Sequence, residues 1–416
     1  QVIQAAYRDD PTAPTLSTAW RFIFSALEND SELNQLTNRL LESIAYKNDP
    51  KPLTPDIVTG LYGDKLDVSI SQLQSFYENP YEYFLKYGLR LQERQKFELS
   101  SASTGTFFHE ALDRIFKEVH EQQIDLTTLS DQDIEDLVAE NVQKMITNPD
   151  NYQYVILASS NRMKYLTSQL QATIQEMIRV MRDQQTATPL RPRTTEKVFG
   201  QPSGDNLKGL SFELPNNRQV NVRGRIDRID SMTVGDKRYF GIVDYKSGNK
   251  LFDYTEAYTG ISMQLLTYLD VLKHNLLELS PDDPDASLAG ALYLHIINSK
   301  LKTVDIQKTG FKEALLDQHK YQGILVSDPD LVSGLEPQLE VGSAQVYPYT
   351  LKKNGEPSKK SELISEDALE AFLTHSEHLI VDAANKIFAG DINLSPTKYG
   401  SRSAMQYTKF KSIMNF

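Results

Sequence analysis

Apolar residues in the first half of the chain recur every three to four positions, which is the period of an α-helix. Ser69 or Ser71 can cap a pair of helices that Pro80 separates, because a serine side chain can accept a hydrogen bond from a free backbone amide. The pattern predicts helices at residues 17–46, on either side of Pro80, and at 104–122, 131–147 and 158–185.

Prolines interrupt this helical pattern near residue 50. Pro50, Pro52 and Pro55 lie within a short polar stretch, and proline neither donates a backbone hydrogen bond nor fits a helix interior. We therefore predict a linker at residues 51–68, between a helical segment at 1–50 and a larger domain at 69–416. A chain of 416 residues is long enough for two or three structural units.

The period changes from helical to alternating at about residue 194, and alternation is typical of half-buried strands. Strands are predicted at 194–199, 207–214, 219–229 and 238–245, followed by a helix at 260–279 and a strand at 288–297. This order of helix, antiparallel strand meander, helix and strand predicts an α/β core over about 104–300. A long helix at 366–389 and a polar tail from 395 belong to the remainder of the domain at 301–416.

Aromatic residues cluster on both sides of Pro80. A stripe of this kind can stack on nucleic-acid bases, but at helical spacing it more often packs into a core. We therefore expect core packing. The cluster comprises Phe76, Tyr77, Tyr81, Tyr83, Phe84 and Tyr87.

The charge balance narrows the range of functions. The chain has 44 Lys and Arg residues against 56 Asp and Glu residues, a net charge of −12. A protein that coats nucleic acid needs cations to neutralise phosphates, so this balance argues against non-specific coating. A nuclease is still compatible with it, because a metal site needs clustered carboxylates, and basic residues can line a local groove or lie on a partner chain.

The absence of cysteine excludes disulfides, thiolate zinc sites and cysteine-ligated iron–sulfur clusters. No apolar run approaches the roughly 20 residues that span a bilayer, and no basic stretch with an apolar core marks export. We expect a soluble, cytoplasmic protein with no membrane segment. The chain also lacks a Gly-Lys-Ser/Thr phosphate loop, so it should not hydrolyse ATP by itself.

Asp244 and Lys246 follow an apolar strand at residues 240–243. Because side chains alternate between the two faces of a strand, Asp244 and Lys246 share one face and Tyr245 points to the other. The carboxylate can hold a divalent cation, and the ammonium can stabilise charge on a phosphodiester during hydrolysis or help to position the attacking water. Taken alone, the pair is better explained as a surface ion pair.

Asp227 ends the polar face of an earlier strand. Alternation places it on the same face as Arg225 and on the opposite face from Ile226. A short connection leads to the strand that ends in Asp244, and two close carboxylates repel unless a cation lies between them. On its own, Asp227 could instead pair with Arg225 or Arg228.

Four further residues extend the candidate site. His109 lies on the same helical stripe as Leu112, where a satisfied core histidine is the common case, but a neutral imidazole is also a good ligand beside two carboxylates. Gln264 and Tyr268 are four apart on a helix and offer an amide and a hydroxyl to a phosphate or to the reacting water. Glu196 is either an additional active-site carboxylate or a plain strand-surface residue.

In chain order these residues resemble the motif series of RecB-like nucleases, a branch of the PD-(D/E)XK superfamily. The series comprises Gly105 with His109, Gly224 with Ile226 and Asp227, Asp244-Tyr245-Lys246-Ser247-Gly248, and Gln264 with Tyr268. The resemblance implies a restriction-endonuclease-like core and a deoxyribonuclease that depends on Mg²⁺, with Mn²⁺ as an alternative.

The resemblance also assigns roles within the site. It implies that His109, Asp227 and Asp244 bind the metal, with the carbonyl of Tyr245 as a further ligand. It makes Lys246 the catalytic lysine, acting with Asp227 and Asp244. Supporting catalytic roles fall to Gln264 and Tyr268.

From residue 69 onward the chain also resembles the C-terminal part of the B subunit of AddAB and RexAB helicase–nucleases, which repair double-strand breaks. This implies single-stranded DNA as substrate, unwound by the motor protein that is its heterodimer partner, and a helicase-like region before Gln1 that would end in residues 1–50. In that family the B subunit handles the strand that ends 5′ at the break. Two rivals stay open: a stand-alone RecB-like exonuclease, and an inactive nuclease fold that binds DNA or serves as a scaffold.

The AddB form of this family holds a four-iron cluster with four cysteines. The matching positions here are Asn79, Met405, Thr408 and Met414, none of which can supply a thiolate. The chain therefore resembles the RexB form, which lacks the cluster. We expect packing against the early aromatic helices to hold the tail instead. The tail residues concerned are Met405, Tyr407, Phe410, Ile413, Met414 and Phe416.

Overall fold

The computed structural model divides the chain into two compact units, residues 1–51 with 405–416, and residues 52–404. Most of the first unit lies outside the described residues, although positions 22–23, 25–27, 34–35 and 38–39 within the predicted helix at 17–46 are helical. The structure describes residues 22–23, 25–27, 29–35, 38–39, 49–92, 101–148, 154, 157, 159–202, 204–248, 250–296, 301–400, 402–406 and 408–414.

Helices dominate the N-terminal part of the larger unit and return after the sheet. A short π-helix, Phe84–Gly88, directly follows the third of them. The helices are α1 (Pro55–Tyr62), α2 (Ile70–Glu78), α3 (Pro80–Tyr83), α4 (Ser101–Glu121), α5 (Asp131–Thr147), α6 (Asn161–Ala187), α7 (Tyr254–Tyr258), α8 (Gln264–His274), α9 (Leu276–Leu279), α10 (Thr303–Thr309), α11 (Phe311–Gln318), α12 (Pro329–Leu335), α13 (Glu366–Phe388) and, in the smaller unit, α14 (Lys411–Met414).

Most strands lie between α6 and α12. The strands are β1 (Lys65–Val68), β2 (Arg191–Phe199), β3 (Leu210–Leu214), β4 (Arg218–Val222), β5 (Gly224–Val234), β6 (Lys237–Lys246), β7 (Ser287–His295), β8 (Gln322–Val326), β9 (Gly342–Ser343), β10 (Thr350–Leu351), β11 (Leu363–Ile364), β12 (Lys398–Tyr399) and β13 (Arg402–Ser403).

A six-stranded mixed sheet forms the centre of the larger unit, with strand order β11-β8-β7-β6-β5-β2. The pairs β2/β5, β5/β6 and β7/β8 are antiparallel, and β6/β7 and β8/β11 are parallel. Helix α8 connects β6 to the parallel strand β7 and packs against both, as a crossover between parallel strands requires. The predicted α/β architecture is therefore present.

The predicted four-strand meander is wrong in one respect, because β3 and β4 leave the central sheet. They form a separate three-stranded sheet with β1, in the order β1-β4-β3, and β2 pairs directly with β5. The predicted strand at 219–229 is two strands that break at Arg223. The break allows Gly224 to pass against Phe199, where a Cβ atom would lie 2.7 Å from the ring. Apolar alternation continues across the break, so it does not reveal the change of sheet.

The segment predicted as a linker, residues 51–68, also differs from expectation. It contains helix α1, with Pro55 in its first turn, and strand β1, which pairs in parallel with β4. Proline fits the first turn of a helix because its missing N–H is not needed there. Pro55 therefore starts a helix, and Pro50 and Pro52 lie in the irregular segment before it.

The long helices were predicted closely because their ends carry local signals. Helix α5 spans the predicted residues, and a capping box between Ser130 and Asp133 fixes its start. Helix α13 begins after the cap Ser365. The predicted helix at 260–279 is shorter, with α8 at its centre and α9 after a break at Asn275.

Four of the six aromatic residues around Pro80 pack in or against the core, as expected, whereas Tyr81 and Phe84 are half-buried and contact each other. Phe76 and Tyr83 are buried and meet edge to face, with ring centroids 5.6 Å apart. In the tail, Met405, Phe410 and Met414 are buried, and Tyr407 and Phe416 lie outside the described residues, so how the tail is held stays a prediction. No helix among the described residues is both long enough and apolar enough to span a bilayer.

Candidate active site

One row of the central sheet carries an acidic side chain on each of three adjacent strands. Arg228 of β5 pairs with Thr195 of β2 and with Val243 of β6. The next row toward the start of β5 therefore holds Glu196, Asp227 and Asp244. Residues directly opposite one another in antiparallel strands project from the same face, so the three carboxylates lie side by side.

His109 faces this row from helix α4, which packs against β2. Its Nδ1 atom lies 3.3 Å from Asp227 Oδ1 and 3.8 Å from Glu196 Oε1. One ligand atom from each of His109, Glu196 and Asp227 lies within 4.8 Å of the others. The side chain of His109 is 31% exposed, so it stands at the mouth of the site rather than in the core.

Asp244 lies deeper and belongs to a closed hydrogen-bonded group. Its carboxylate forms an ion pair with Lys246, and Lys246 Nζ also donates to Gln264 Oε1 at 2.8 Å. Gln264 Nε2 donates to Asp244 Oδ1 at 2.8 Å and to the hydroxyl of Tyr268 at 3.1 Å. Each member of the group thus orients the next, and Tyr268 fixes the amide of Gln264.

The charges of the site shift the pKa values of its members. Burial lowers the pKa of His109, but hydrogen bonds to Asp227 and Glu196 outweigh burial and raise this pKa to about 10. Burial and then the charge of Asp227 raise the pKa of Asp244 to about 6, and Lys246 opposes the shift. Burial favours the neutral form of Glu196, but its bonds to His109 and Arg225 hold its pKa below the usual value.

The side chain of Tyr245 points to the opposite face of the sheet from Asp244 and Lys246, as alternation predicted. Its backbone N–H donates to Asp227 Oδ2 at 2.8 Å, which fixes the orientation of that carboxylate. Its ring is buried and meets His109 edge to face, and its hydroxyl accepts a hydrogen bond from Arg228 at 3.3 Å. Metal ligation by the carbonyl of Tyr245 stays a prediction.

Glu196 is the residue whose role the sequence left open. It lies within the acidic row and pairs with Arg225 at 2.8 Å, and its φ angle of 49° is in the left-handed region that a strand glutamate rarely adopts. Strained backbone of this kind is concentrated at functional sites. No local sequence motif marks Glu196, and only the pairing of β2 with β5 brings it into the site.

The donor set fits a divalent cation. An imidazole and two carboxylates converge at His109, Glu196 and Asp227, and Asp244 lies next to them in the same row. Carboxylate oxygens suit Mg²⁺ and Mn²⁺, and the imidazole makes Mn²⁺ the better match of the two. Two of the predicted ligands, His109 and Asp227, therefore lie in one cluster with Glu196, and the third, Asp244, lies on the neighbouring strand outside that cluster.

A fold with carboxylates on adjacent strands, followed by a lysine and a helix that bears a glutamine, defines a class of metal-dependent nucleases. The model of the PD-(D/E)XK nuclease superfamily matches residues 67–403. The chain belongs to this superfamily, and the predicted family and fold class are confirmed.

The chain is also similar to bacterial proteins named as the B subunit of ATP-dependent helicase/deoxyribonuclease. The protein from Lactiplantibacillus plantarum is 43% identical over 404 residues, which are 95% of this chain and 33% of that protein. The protein from Levilactobacillus brevis is 43% identical over an alignment of 423 positions, which covers 100% of this chain and 35% of that protein. The Latilactobacillus sakei protein is 40% identical over an alignment of 425 positions, which covers 100% of this chain and 36% of that protein. The chain thus spans about a third of the length of these relatives.

Proposed function

We propose that this chain is a metal-dependent deoxyribonuclease domain that hydrolyses phosphodiester bonds of single-stranded DNA. The observation that carries the proposal is the convergence of His109, Glu196 and Asp227 beside the bonded group of Asp244, Lys246 and Gln264. Two neighbouring clusters, one suited to a cation and one that presents an ammonium, provide the two charges that phosphodiester hydrolysis needs.

The residues divide the chemistry between them. His109, Glu196, Asp227 and Asp244 would hold the cation, which when bound makes water a better nucleophile and polarises the phosphate. Lys246, which contacts Asp244, would stabilise charge on the phosphate oxygens in the transition state. Gln264 fixes the positions of Lys246 and Asp244, because its side-chain amide forms a hydrogen bond of 2.8 Å with each of them.

The resident ion in this proposal is Mg²⁺, with Mn²⁺ as an effective substitute. Three carboxylates favour either ion, and the single imidazole favours Mn²⁺. The zero cysteine count is consistent with a protein that carries no iron–sulfur cluster.

We further propose that the chain acts within a larger helicase–nuclease in double-strand break repair. The names of its relatives, and the third of their length that the chain spans, support a role as the nuclease part of the B subunit in such an enzyme. The motor protein that is its heterodimer partner would then deliver unwound single strands to the site. A DNA-repair role also favours the cytoplasm as the place of action.

The deciding experiment is cleavage of a labelled single-stranded oligonucleotide by the purified chain with Mg²⁺ or Mn²⁺, with and without EDTA. We expect cleavage that requires metal, is abolished in Asp227→Asn and persists in Asp205→Asn. Asp205 is a matched control because its carboxylate is 94% exposed and lies outside the acidic row. Undiminished cleavage in excess EDTA would overturn the metal mechanism, and no cleavage with either ion would overturn the nuclease assignment.

A further inference from the structure

A second cluster of metal-ligating side chains lies between helices α8 and α13. It consists of Asp270 and His274 of α8 and Glu377 of α13, with one ligand atom of each within 4.8 Å of the others. None of these residues belongs to the active site described above. Asp270 and His274 are four positions apart and therefore share one face of α8, and α13 packs against that helix.

Asp270 is the unusual member of the cluster. The residue is 2% exposed, and its Oδ2 atom accepts a hydrogen bond from no donor among the described residues; the group that lies against this carboxyl is another carboxyl, that of Glu377. Its Oδ1 atom lies 3.3 Å from Nδ1 of His274. A buried carboxylate oxygen is expensive to leave unpaired, and buried carboxylates in folded proteins are paired or coordinate metals.

Two further buried polar atoms lie on the same two helices. Thr267 Oγ1 on α8 and Ser376 Oγ on α13 are also buried and also have no hydrogen-bond partner among the described residues. The same two helices therefore carry three buried oxygen atoms without protein partners. Each such group in a native structure requires an explanation, and a bound ion is one of the few available.

Lys273 does not neutralise the cluster. Lys273 acts on Asp270 only at a distance, because its ammonium forms an ion pair with Glu370 of α13. Two carboxylates, Asp270 and Glu377, thus lie close together with a single imidazole. The donor set is thus one imidazole and two carboxylates, one carboxylate fewer than in the proposed catalytic site.

We propose that Asp270, His274 and Glu377 form a second, structural site for a divalent transition-metal ion, Zn²⁺ or Mn²⁺, that ties α8 to α13. One imidazole and two carboxylates suit these ions better than Mg²⁺ or Ca²⁺, which prefer oxygen ligands alone. The side chain of His274 is 53% exposed, so the ion can enter from solvent and keep water ligands on that side.

The site would act on the nuclease through helix α8. The helix begins at Gln264 and also carries Tyr268. Asp270 lies six residues after Gln264, a rise of about 9 Å along the helix axis. An ion that fastens the C-terminal half of α8 to α13 therefore holds the helix that orients Lys246. The second ion would thus help to position the residues of the nuclease site, and it would take no part in the hydrolysis itself.

The test uses the full chain with His109→Ala and Asp227→Asn, so that the catalytic cluster no longer contributes. Equilibrium dialysis with elemental analysis measures the bound Zn²⁺ or Mn²⁺. We expect one ion per chain, with affinity weakened by at least about tenfold in His274→Ala and in Glu377→Gln, the lower end of what even an outer-shell partner contributes. Both residues are partly exposed, so these substitutions disturb folding less than replacement of buried Asp270.

Matched controls lie on the same helix α13. His378→Ala removes an exposed histidine next to Glu377, and Glu370→Gln removes the partner of Lys273. Neither change should alter binding. The proposal is overturned if the chain retains no ion, as it would if Asp270 and Glu377 merely share a proton. It is equally overturned if His274→Ala and Glu377→Gln bind as the parent does, or if the controls lose the ion to the same extent.

Discussion

His109 carries a positive charge in the metal-free site. Its pKa of about 10 keeps the imidazole protonated at neutral pH, between Asp227 and Glu196. The imidazolium thus lies where the proposed metal ion would bind. A neutral nitrogen is needed to bind a metal, so the metal and the proton compete for His109.

This competition predicts that metal binding releases a proton. At pH 7 to 8 we expect about one proton to be released from His109 for each ion bound. The metal affinity should increase as the pH is raised toward 10, by up to about tenfold for each pH unit. Titration calorimetry of Mn²⁺ in buffers of different ionisation enthalpy measures the release. His109→Ala should bind more weakly and release no proton, and a parent protein that releases none would exclude His109 as a ligand.

Asp244→Asn should abolish cleavage and make the metal-free protein more stable at neutral pH. The pKa of about 6 in the folded protein lies above the value of the unfolded chain. The protonated carboxyl therefore stabilises the fold below about pH 4, and this contribution is lost as pH rises through 6. Since each pKa unit corresponds to about 1.4 kcal/mol, asparagine, which mimics the neutral acid, should gain a few kcal/mol relative to the parent between pH 4 and 7.

Thermal and urea unfolding in EDTA at pH 4 and pH 7 measure this difference for Asp244→Asn. The variant and the parent should be similar at the lower pH and diverge at the higher one. Asp205→Asn, on an exposed loop, controls for the removal of a charge as such. A melting temperature clearly below that of the parent at pH 7, with cleavage retained in Mg²⁺, would make Asp244 a structural partner of Lys246 and not a catalytic residue.

Lys246→Ala should separate catalysis from metal binding. The ammonium of Lys246 cannot itself bind a cation, and His109, Glu196 and Asp227 keep their ligand atoms without it, so metal affinity should stay nearly intact although Lys246 contacts Asp244. Turnover should fall by roughly two powers of ten, the order expected when a charge that stabilises the transition state is removed. Single-turnover cleavage at saturating metal, with calorimetry alongside, tests both parts.

A control for Lys246→Ala lies at the other end of the same strand. Lys237 forms an ion pair with Asp328 far from the acidic row, and Lys237→Ala should leave turnover unchanged. If Lys246→Ala lost metal affinity and kept normal turnover at saturating metal, the catalytic role of this lysine would be wrong.

Among the elements, strand β2 contributes the one irregular position in the site. Glu196 has a φ angle of 49°, although Thr195 and Lys197 on either side of it pair regularly with β5. Left-handed backbone is unfavourable for a residue with a Cβ atom by about 1–2 kcal/mol. The position therefore trades stability for the placement of a carboxylate beside Asp227.

Glu196→Gln and Glu196→Gly separate the carboxylate from the backbone strain. Both variants should lose metal affinity to a similar degree, because both lack the charge. In EDTA the glycine variant should be more stable than the glutamine variant by about 1 kcal/mol, since glycine adopts positive φ freely. Urea unfolding compares the two, and equal stability would show that the backbone at 196 is unstrained.

Elements with strong local signals were predictable, and pairings between distant strands were not. The capping box of Ser130 and Asp133 located α5 to the residue, and alternation placed Asp244 and Lys246 on one face of β6. The hairpin of β3 and β4 was assigned to the wrong sheet because its alternation runs in phase with that of β5. The role of Glu196 could not be predicted from the sequence, because it depends on the pairing of β2 with the distant strand β5.

Asn79 has a structural role in this chain. The resemblance described above predicts that this position matches a cluster cysteine of the AddB form, and here Asn79 is 1% exposed. Its side chain accepts a hydrogen bond from the backbone amide of Glu82 and so caps helix α3. The helix start is thus secured without a cluster, as a chain with no cysteine requires.

The net charge of the whole molecule limits how tightly it can hold DNA by itself. With a net charge of −12, acidic residues outnumber the Lys and Arg residues that could neutralise phosphates. The affinity for single-stranded DNA depends on the number of phosphates that are neutralised. We expect the parent chain in EDTA to bind a labelled single-stranded oligonucleotide no more tightly than about 1 μM at physiological salt, and more weakly at higher salt. Fluorescence anisotropy at two salt concentrations measures this, with cleavage in Mg²⁺ assayed on the same preparation. A nuclease that receives its substrate from a partner motor does not need a higher affinity for single-stranded DNA. A DNA-binding scaffold does need a higher affinity. Tight binding without metal, together with no cleavage in Mg²⁺ or Mn²⁺, would identify the chain as the scaffold and reject the proposed enzyme.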